Sequence, residues 1–463
     1  MRVDNLQVSV QASLREALQL IEVNNLGLVF VCNDSGVVIG VATDGDIRRH
    51  LLQGSSLDDP IMVYTNTEFV WADSRTSREV LLKQLDSRIR AIPLLDIDRR
   101  LVGVVSRDHL PLQEEEAVYA RARSPVRISF GGGGSDVTHY FAGENDGAVI
   151  NTTISIYSHA TLRPRNDERI VIRSLDLKET FRADDLPAAL AQQGRFGLIQ
   201  GLLKTIRPEF GFELYLDSDF PMNSGLGGSS VISAGILGCF NQFRQDKWDL
   251  YEMAEIAYQA ERLHLGIAGG WQDQYATVFG GFNFIEFRMD QNIVHPLRIH
   301  LDTLLELEES LVLCDTGMPH DSGYVHQDQR QNMSSASIKE LMESSVQLCY
   351  AMRNDLLRGR LFQFGRALDK AWQCKRQFSE KISSMRLDRI YAEACLNGAV
   401  GGKLLGAGGG GFFLFYAPPF RRHDLIAHLE QSGMRIQPFR FEQEGLQAWT
   451  VREVRNHLDI EDS

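Results

Sequence analysis

The stretch from Pro221 to Ser230, PMNSGLGGSS, constrains the fold more than any other part of the chain. Before it, Phe212–Leu216 alternates apolar and polar residues, the period of a half-buried strand. After it, the run from Val231 to Phe243 is small and apolar and reads as a helix. A glycine-rich loop between a strand and a helix, closed by Ser229 and Ser230, can aim several backbone N–H groups and the positive end of a helix dipole at one anion. Glycines let backbone approach that anion with no Cβ in the way. A plain turn with serine N-caps is the alternative. The loop is not a Walker A, which ends in Gly-Lys-Ser/Thr, because Gly228-Ser229-Ser230 contains no lysine.

Two more glycine clusters flank it. Arg123–Phe130 reads as an edge strand with Pro125 near its start, and it runs into Gly131, Gly132, Gly133, Gly134, Ser135 and Asp136. A carboxylate at that turn is a bidentate acceptor for paired hydroxyls, or a cap for the turn itself. Near the C-terminus, Gly406–Gly411 precedes the apolar run Phe412–Tyr416, which Pro418 and Pro419 stop. Gly406, Gly408 and Gly411 match a dinucleotide pattern by letter, but that pattern follows a strand and opens a helix, so a Rossmann site is rejected.

Between these clusters, Asp249 and Glu252 form a capping box for a helix through His264, stopped by Gly266. Its apolar face is Met253, Ile256, Ala257, Ala260 and Leu263; Glu261 falls late in it, where a solvated face is the usual reading. Asp273 follows in GGWQDQY. Residues 331–397 are helix-rich, and the neighbouring cations Lys375 and Arg376 suit either a phosphate on a substrate or a solvated helix face.

The first 115 residues repeat at an offset of 63, from Val29 to Ile92, Val31 to Leu94, Gly40 to Gly103 and Thr43 to Ser106. Ser13–Glu16 opens a helix in the first copy and Thr76–Glu79 opens one in the second. Each copy is helix, strand, turn, strand and a helix start, too small to bury a good core alone, so the two are expected to pack together. From Gln113 to Arg123 the chain is charged and polar and reads as a linker or short solvated helix.

The three glycine segments, in this order over residues 121–451, resemble the motifs of the GHMP kinases. The first is written PxR followed by a glycine and Thr/Ser-Asp. The second is written PxxxGLGSSA, with Gly228 here in place of its first Ser. The third is a glycine loop that closes over the active site. The resemblance implies an α+β chain with a two-lobed kinase fold: a ribosomal S5-like N-lobe over 121–300 that binds ATP and a ferredoxin-like C-lobe over 301–455. It implies ATP on Gly225, Leu226, Gly227, Gly228, Ser229 and Ser230, and Mg²⁺ on Ser229 with Glu261. By the same resemblance Asp273 takes or orients the proton of the substrate hydroxyl, and Arg127 lies near the transferred phosphate. Gly133, Gly134, Ser135 and Asp136 face the sugar. Such a set suits phosphoryl transfer, in which a metal bridges the triphosphate, a carboxylate aligns the nucleophile and a cation stabilises the transition state. The Glu-His-x-Asp of galactokinases is absent. The runs 224–230 and 265–276 resemble instead the branch acting on the anomeric hydroxyl of a heptose 7-phosphate, with other sugar 1-kinases, L-fucokinase-like, as the alternative.

The repeat resembles a CBS-domain pair of α/β type, over 1–115. Its ligand signature Gly-x-x-Thr/Ser-x-x-Asp fits Gly40–Asp46, which implies AMP, ADP or ATP at Thr43 and Asp46. In the second copy His109 stands at the Asp46 equivalent, beside Asp108. The pair serves equally well as a dimerisation or stabilising module, and a homodimer is the expected assembly. A nucleotide sensor with an inert kinase fold is the reading from another class, and the presence of Arg127, Ser229, Glu261 and Asp273 speaks against it.

Charge narrows the partners. With 48 basic and 61 acidic residues the net charge is −13, which offers no basic field for nucleic acid. The six cysteines have no CxxC spacing and read as thiols of a reducing compartment. No run reaches the ~18 apolar residues of a membrane span, and the N-terminus lacks a signal pattern. A cytoplasmic enzyme with a small sugar phosphate as partner is the expectation.

Overall fold

The computed structural model describes residues 3–73, 76–85, 89–107, 117–143, 145–221, 224–318, 325, 327–329, 332 and 335–452. The chain divides into two compact units, residues 1–114 and 115–463.

The first unit is built twice. Strands β1 (Gln7–Ser9), β2 (Leu28–Cys32) and β3 (Val38–Thr43) form one sheet with helices α1 (Leu14–Asn24) and α2 (Asp44–Leu52). Strands β4 (Ala72–Asp73), β5 (Ala91–Leu95) and β6 (Leu101–Ser106) repeat it, with helix α3 (Arg78–Gln84). The repeat extends to irregularities: the β2–β3 register shifts at Val31/Cys32 and the β5–β6 register at Leu94/Leu95, the same offset of 63. The capping box on Ser13 and Glu16 is present. The second helix is capped by Ser77, not Thr76, so it starts one residue later than the repeat predicts. Leu28, Phe30, Cys32 and Val38 of one copy share a core with Leu95 and Leu101 of the other, which is how two small sheets bury enough surface. Asp108 and His109 lie outside the described residues.

The second unit is organised by two long strands, β7 (Ala117–Gly131) and β8 (Gly147–Pro164). They pair with each other. β8 also pairs with β12 (Phe282–Phe287) at its start and β11 (Phe212–Ser218) at its end. Strands β9 (Ile170–Ser174), β10 (Glu179–Ala183) and β13 (Asn292–Pro296) extend this sheet. A second, antiparallel sheet has the order β15 (Gly401–Leu404), β16 (Phe412–Tyr416), β14 (Leu311–Asp315), β17 (Arg435–Ile436). The architecture is α+β, as expected.

Two expectations are corrected here. Of the expected linker, residues 113–116 lie outside the described residues, and Ala117–Arg123 is neither linker nor helix but the first half of β7, lying between β8 and β19 (Gln447–Arg452). Ala120 and Ala122 are buried and Arg121 is exposed. The alternation is that of a strand, but its inward members are alanines, which carry little hydrophobic signal. Nor does the sequence after residue 300 form the second sheet alone. β18 (Phe441–Glu442) and β19 return to pair with β8 and β7 in the first sheet.

Helices α4 (Gly197–Ile206), α5 (Gly228–Gln242), α6 (Leu250–Tyr258) and α7 (Gln272–Phe279) belong with the first sheet; α8 (Ala336–Leu357) packs on β7 and β8 of that sheet and on α9 (Leu361–Lys375), which in turn packs on β15 and β16 of the second. One core runs through both. Phe130 of β7 lies edge-on to Phe364 of α9 at 5.1 Å and stacks on Phe282 of β12 at 6.0 Å. α9 meets β16 at Gly365, where a Cβ would fall 2.3 Å from the Tyr416 ring. Among the described residues no helix is long and apolar enough to cross a membrane. We predict that Phe130→Ala, which empties the junction of the two sheets, lowers unfolding free energy by about 3–5 kcal/mol in urea titrations.

Candidate active site

The glycine loop delivers what its sequence implies. Gly227, at φ +81°, is the N-cap of α5, and the helix begins at Gly228. The orphan N–H groups of its first turn are therefore open to an anion. Ser229 and Ser230 are not the caps; they lie in that first turn and donate their hydroxyls to Glu261, each at 2.8 Å.

Glu261 is fully buried. A regular helix from Asp249 would carry it differently, but after Tyr258 the helix widens into a π-turn, Gln259–His264, with Leu265 N–H bonded to the carbonyl of Ala260. The extra residue in that turn shifts the helical phase. Glu261 turns inward, and Leu263, expected on the apolar face, is 72% exposed. Gln274 donates to the same carboxylate at 3.2 Å and Arg262 Nη1 lies 3.3 Å from it. A carboxylate with two hydroxyls is a set of hard oxygen donors, and among the described residues no cluster of three or more His, Cys, Asp or Glu could hold a metal alone. That set fits Mg²⁺, which usually takes one or two protein carboxylates and completes its shell with phosphate oxygens and water.

Arg127 and Asp273 form a bidentate pair, with Nε to Oδ1 and Nη2 to Oδ2 both at 2.8 Å. Arg127 Nη1 donates to the carbonyl of Gly225 at 2.7 Å. Arg127 is 3% exposed and Asp273 20%, so the acid looks outward over a buried cation. A Cβ on Gly227 would lie 3.3 Å from Asp273 Oδ2. Phosphate loop, cation and acid thus meet at one point.

The first glycine turn gives a mixed result. Gly133, Gly134 and Asp136 line the same cavity as Arg127 and Asp273. Asp136 accepts the N–H of Gly134 at 3.0 Å and of Gln272 at 3.1 Å, so it also caps the start of α7. Burial, and then the charge of Asp273, push its carboxyl above the usual carboxylate range. Ser135 is a correction. Its hydroxyl donates to the carbonyls of Gly132 and Ala148 and accepts the N–H of Ala148, so its hydrogen-bonding capacity is spent on the fold, outside the cavity.

The cavity holds about 400 Å³. The third glycine loop packs on the phosphate loop over it: a Cβ on Gly406 would meet Gly225 Cα at 2.7 Å. Lys375 is buried, lines the cavity and donates to the carbonyls of Leu404 and Gly406. Arg376 does not join it; it pairs with Asp388 at 2.6 Å, because consecutive helical residues point about 100° apart. Sequence reasoning missed Lys403, Ser129 and Gln272, all of which line the cavity. Ser129 was findable, being two residues from Arg127 on one strand and so on the same face. The Oγ of Ser129, the Oγ of Ser224 and the Oε1 of Gln272 are buried without a partner among the described residues, as expected of atoms that await a ligand.

In the first unit Thr43 and Asp46 stand together: Thr43 caps α2, and its hydroxyl donates to Asp46 at 2.7 Å. Gly40 is required where segment 65–66 crosses, since a Cβ would fall 2.3 Å from Thr65.

Residues 197–281 match the GHMP kinases N terminal domain, and residues 1–53 and 61–110 match the CBS domain. The D-glycero-alpha-D-manno-heptose 7-phosphate kinase of Campylobacter jejuni subsp. jejuni serotype O:2 is 35% identical over 72% of this chain and 99% of its own length. The L-fucokinase/L-fucose-1-P guanylyltransferase of Bacteroides fragilis is 28% identical over 69% of this chain but only 37% of that protein. The crystal structure of a D-glycero-D-manno-heptose 1-phosphate kinase from Bacteroides thetaiotaomicron, 29% identical, superposes with a TM-score of 0.60 over 72% of this chain and 100% of its own. The chain belongs to the GHMP kinase family, phosphotransferases that use an alcohol as acceptor. Within that family it is a sugar kinase, and it carries an N-terminal CBS pair.

We predict that Ser135→Ala lowers stability by about 1–3 kcal/mol, the cost of a broken buried network, in denaturant titrations, while nucleotide and acceptor affinities stay within twofold.

Proposed function

We propose that this kinase transfers the γ-phosphoryl group of ATP to the anomeric hydroxyl of D-glycero-D-manno-heptose 7-phosphate, giving the 1,7-bisphosphate. The observation that carries the reading is the Arg127–Asp273 pair, braced on the phosphate-loop carbonyl of Gly225 and facing the cavity that Gly134 and Asp136 line. The name and coverage of the heptose 7-phosphate kinase above support the acceptor, and the heptose kinase structure supports a heptose as the sugar.

In this reading the triphosphate lies on the N–H groups of Gly227, Gly228, Ser229 and Ser230, at the positive end of α5. Ser229 and Glu261 hold Mg²⁺, which supplies charge neutralisation on the triphosphate. The sugar oxygen attacks the γ-phosphorus, the bond to the β–γ bridging oxygen breaks and ADP leaves. The hydroxyl proton passes to Asp273. Arg127 orients that carboxylate through its two hydrogen bonds until the step, and its charge stabilises the oxygens being transferred. Asp136 and Gly134 face the sugar. The CBS pair binds an adenine nucleotide at Thr43 and Asp46 and adjusts turnover, and the enzyme works in the cytoplasm.

An ADP-release assay over heptose 7-phosphate, unphosphorylated heptose, galactose and L-fucose tests the acceptor, with L-fucose included because of the fucokinase relative. Heptose 7-phosphate is expected to give the highest kcat/KM. Asp273→Asn is expected to lose at least a thousandfold in kcat, with ATP affinity by calorimetry within threefold; full turnover by this variant would remove Asp273 from its role. For the first unit, titrating AMP, ADP and ATP into the full chain is expected to show a site that Asp46→Ala weakens at least tenfold. Unchanged binding stoichiometry and affinity in that variant would leave the pair as scaffold.

A further inference from the structure

We propose that Lys403 is the residue that makes this kinase select a phosphorylated acceptor, its ammonium receiving, with that of Lys375, the dianionic phosphate borne by the sugar. The inference rests on the acceptor reading above and assigns a subsite within it.

Lys403 lies in β15, in the run Gly401-Gly402-Lys403-Leu404, and is 2% exposed. It lines the cavity. Among the described residues its Nζ has neither a hydrogen bond nor an ion pair. An ammonium on a buried wall with no hydrogen-bonded partner is unfavourable, and leucine or methionine would fill the same space at less cost. Lys375, on the same cavity wall, is held only by the carbonyls of Leu404 and Gly406, which are neutral. The nearby acids do not balance the two. Asp273 is paired with Arg127, and Asp136 spends its oxygens on the N–H groups of Gly134 and Gln272. Two lysines therefore share one carboxylate, and an entering anion supplies the charge that holds both protonated. Burial first, and then neighbouring cations, push Lys403 down to about 8 and Lys375 well below its usual value.

The position separates this site from the one for the nucleotide. Lys403 lies within electrostatic reach of Asp136 and of the Cys349 thiol, as well as of Arg127. Cys349 packs beneath the first glycine turn, where a Cβ on Gly132 would fall 2.6 Å from its sulfur. Lys403 thus marks the end of the cavity where the sugar lies, and a compact, strongly charged ammonium is suited to a phosphate oxygen.

The test compares three ligands by calorimetry on the full chain: heptose 7-phosphate, the same heptose without phosphate, and MgADP. In Lys403→Met, and in Lys403→Gln as a second variant, affinity for the 7-phosphate is expected to fall at least thirtyfold. Affinities for the unphosphorylated sugar and MgADP are expected to stay within threefold. The Tm of the ligand-free Met variant is expected to equal or exceed that of the parent, which a merely structural lysine would not allow. Arg376→Gln, a surface pair with Asp388, is expected to change none of these. Equal losses for both sugars would assign Lys403 to ring hydroxyls, a loss for MgADP would assign it to the transferred phosphate, and no loss would leave it without a role; each overturns the proposal. If the parent shows no preference for the phosphorylated sugar, the acceptor reading fails and the inference with it. If the parent prefers it and the variants keep that preference, the inference alone fails.

Discussion

The guanidinium of Arg127 is the point at which three separate parts of the chain are fixed to one another. It reaches Asp273 at the start of α7 with two hydrogen bonds and the carbonyl of Gly225 in the phosphate loop with a third. Because it is buried, removing either partner would leave a charge unpaired in low dielectric, a penalty of about 3–5 kcal/mol. Such a pair adds little stability over an apolar replacement, but it specifies one arrangement. Here the arrangement sets the acid a fixed distance from the N-terminus of α5.

The second fixed relation is electrostatic in the opposite sense. Glu261 is a buried carboxylate that four side chains address: two serine hydroxyls, an amide and a guanidinium. The π-turn is what carries it inside. That irregularity makes sense as a functional device, because a regular helix would trade the inward acid for Leu263. The third glycine loop closes against the loop before α5, with Gly406 on Gly225 and Gly411 on Ser224.

Several elements were legible because local chemistry dictates them. The repeat in the first unit could be read from alternation and caps, and even its β-bulges recur at the same offset. The glycine loop could be read from its place between a strand and a helix. Arg127, Asp273 and Glu261 were named from family motifs, and they do converge. Ser135, named in the same way, does not face the cavity, because its hydroxyl is consumed by Gly132 and Ala148. Arg376 is excluded by helix geometry alone. The strand at Ala117–Arg123 was missed because alanine carries burial without a strong apolar signature.

The sequence by itself determined which residues can bind an anion, hold a hard cation and accept a proton, since those properties belong to side chains and to glycine-permitted backbone. It also determined that two repeated halves must pack, for want of surface to bury. Tertiary structure alone decided that Glu261 points inward, that the chain's last strands return to the first sheet, and that Lys403 lines the cavity beside Lys375. Those outcomes depend on the phase of a π-turn, on pairing between segments more than three hundred residues apart such as Arg123 and Gln447, and on the balance of neighbouring charges. A linear reading contains none of these, because each is a relation between distant parts of the chain.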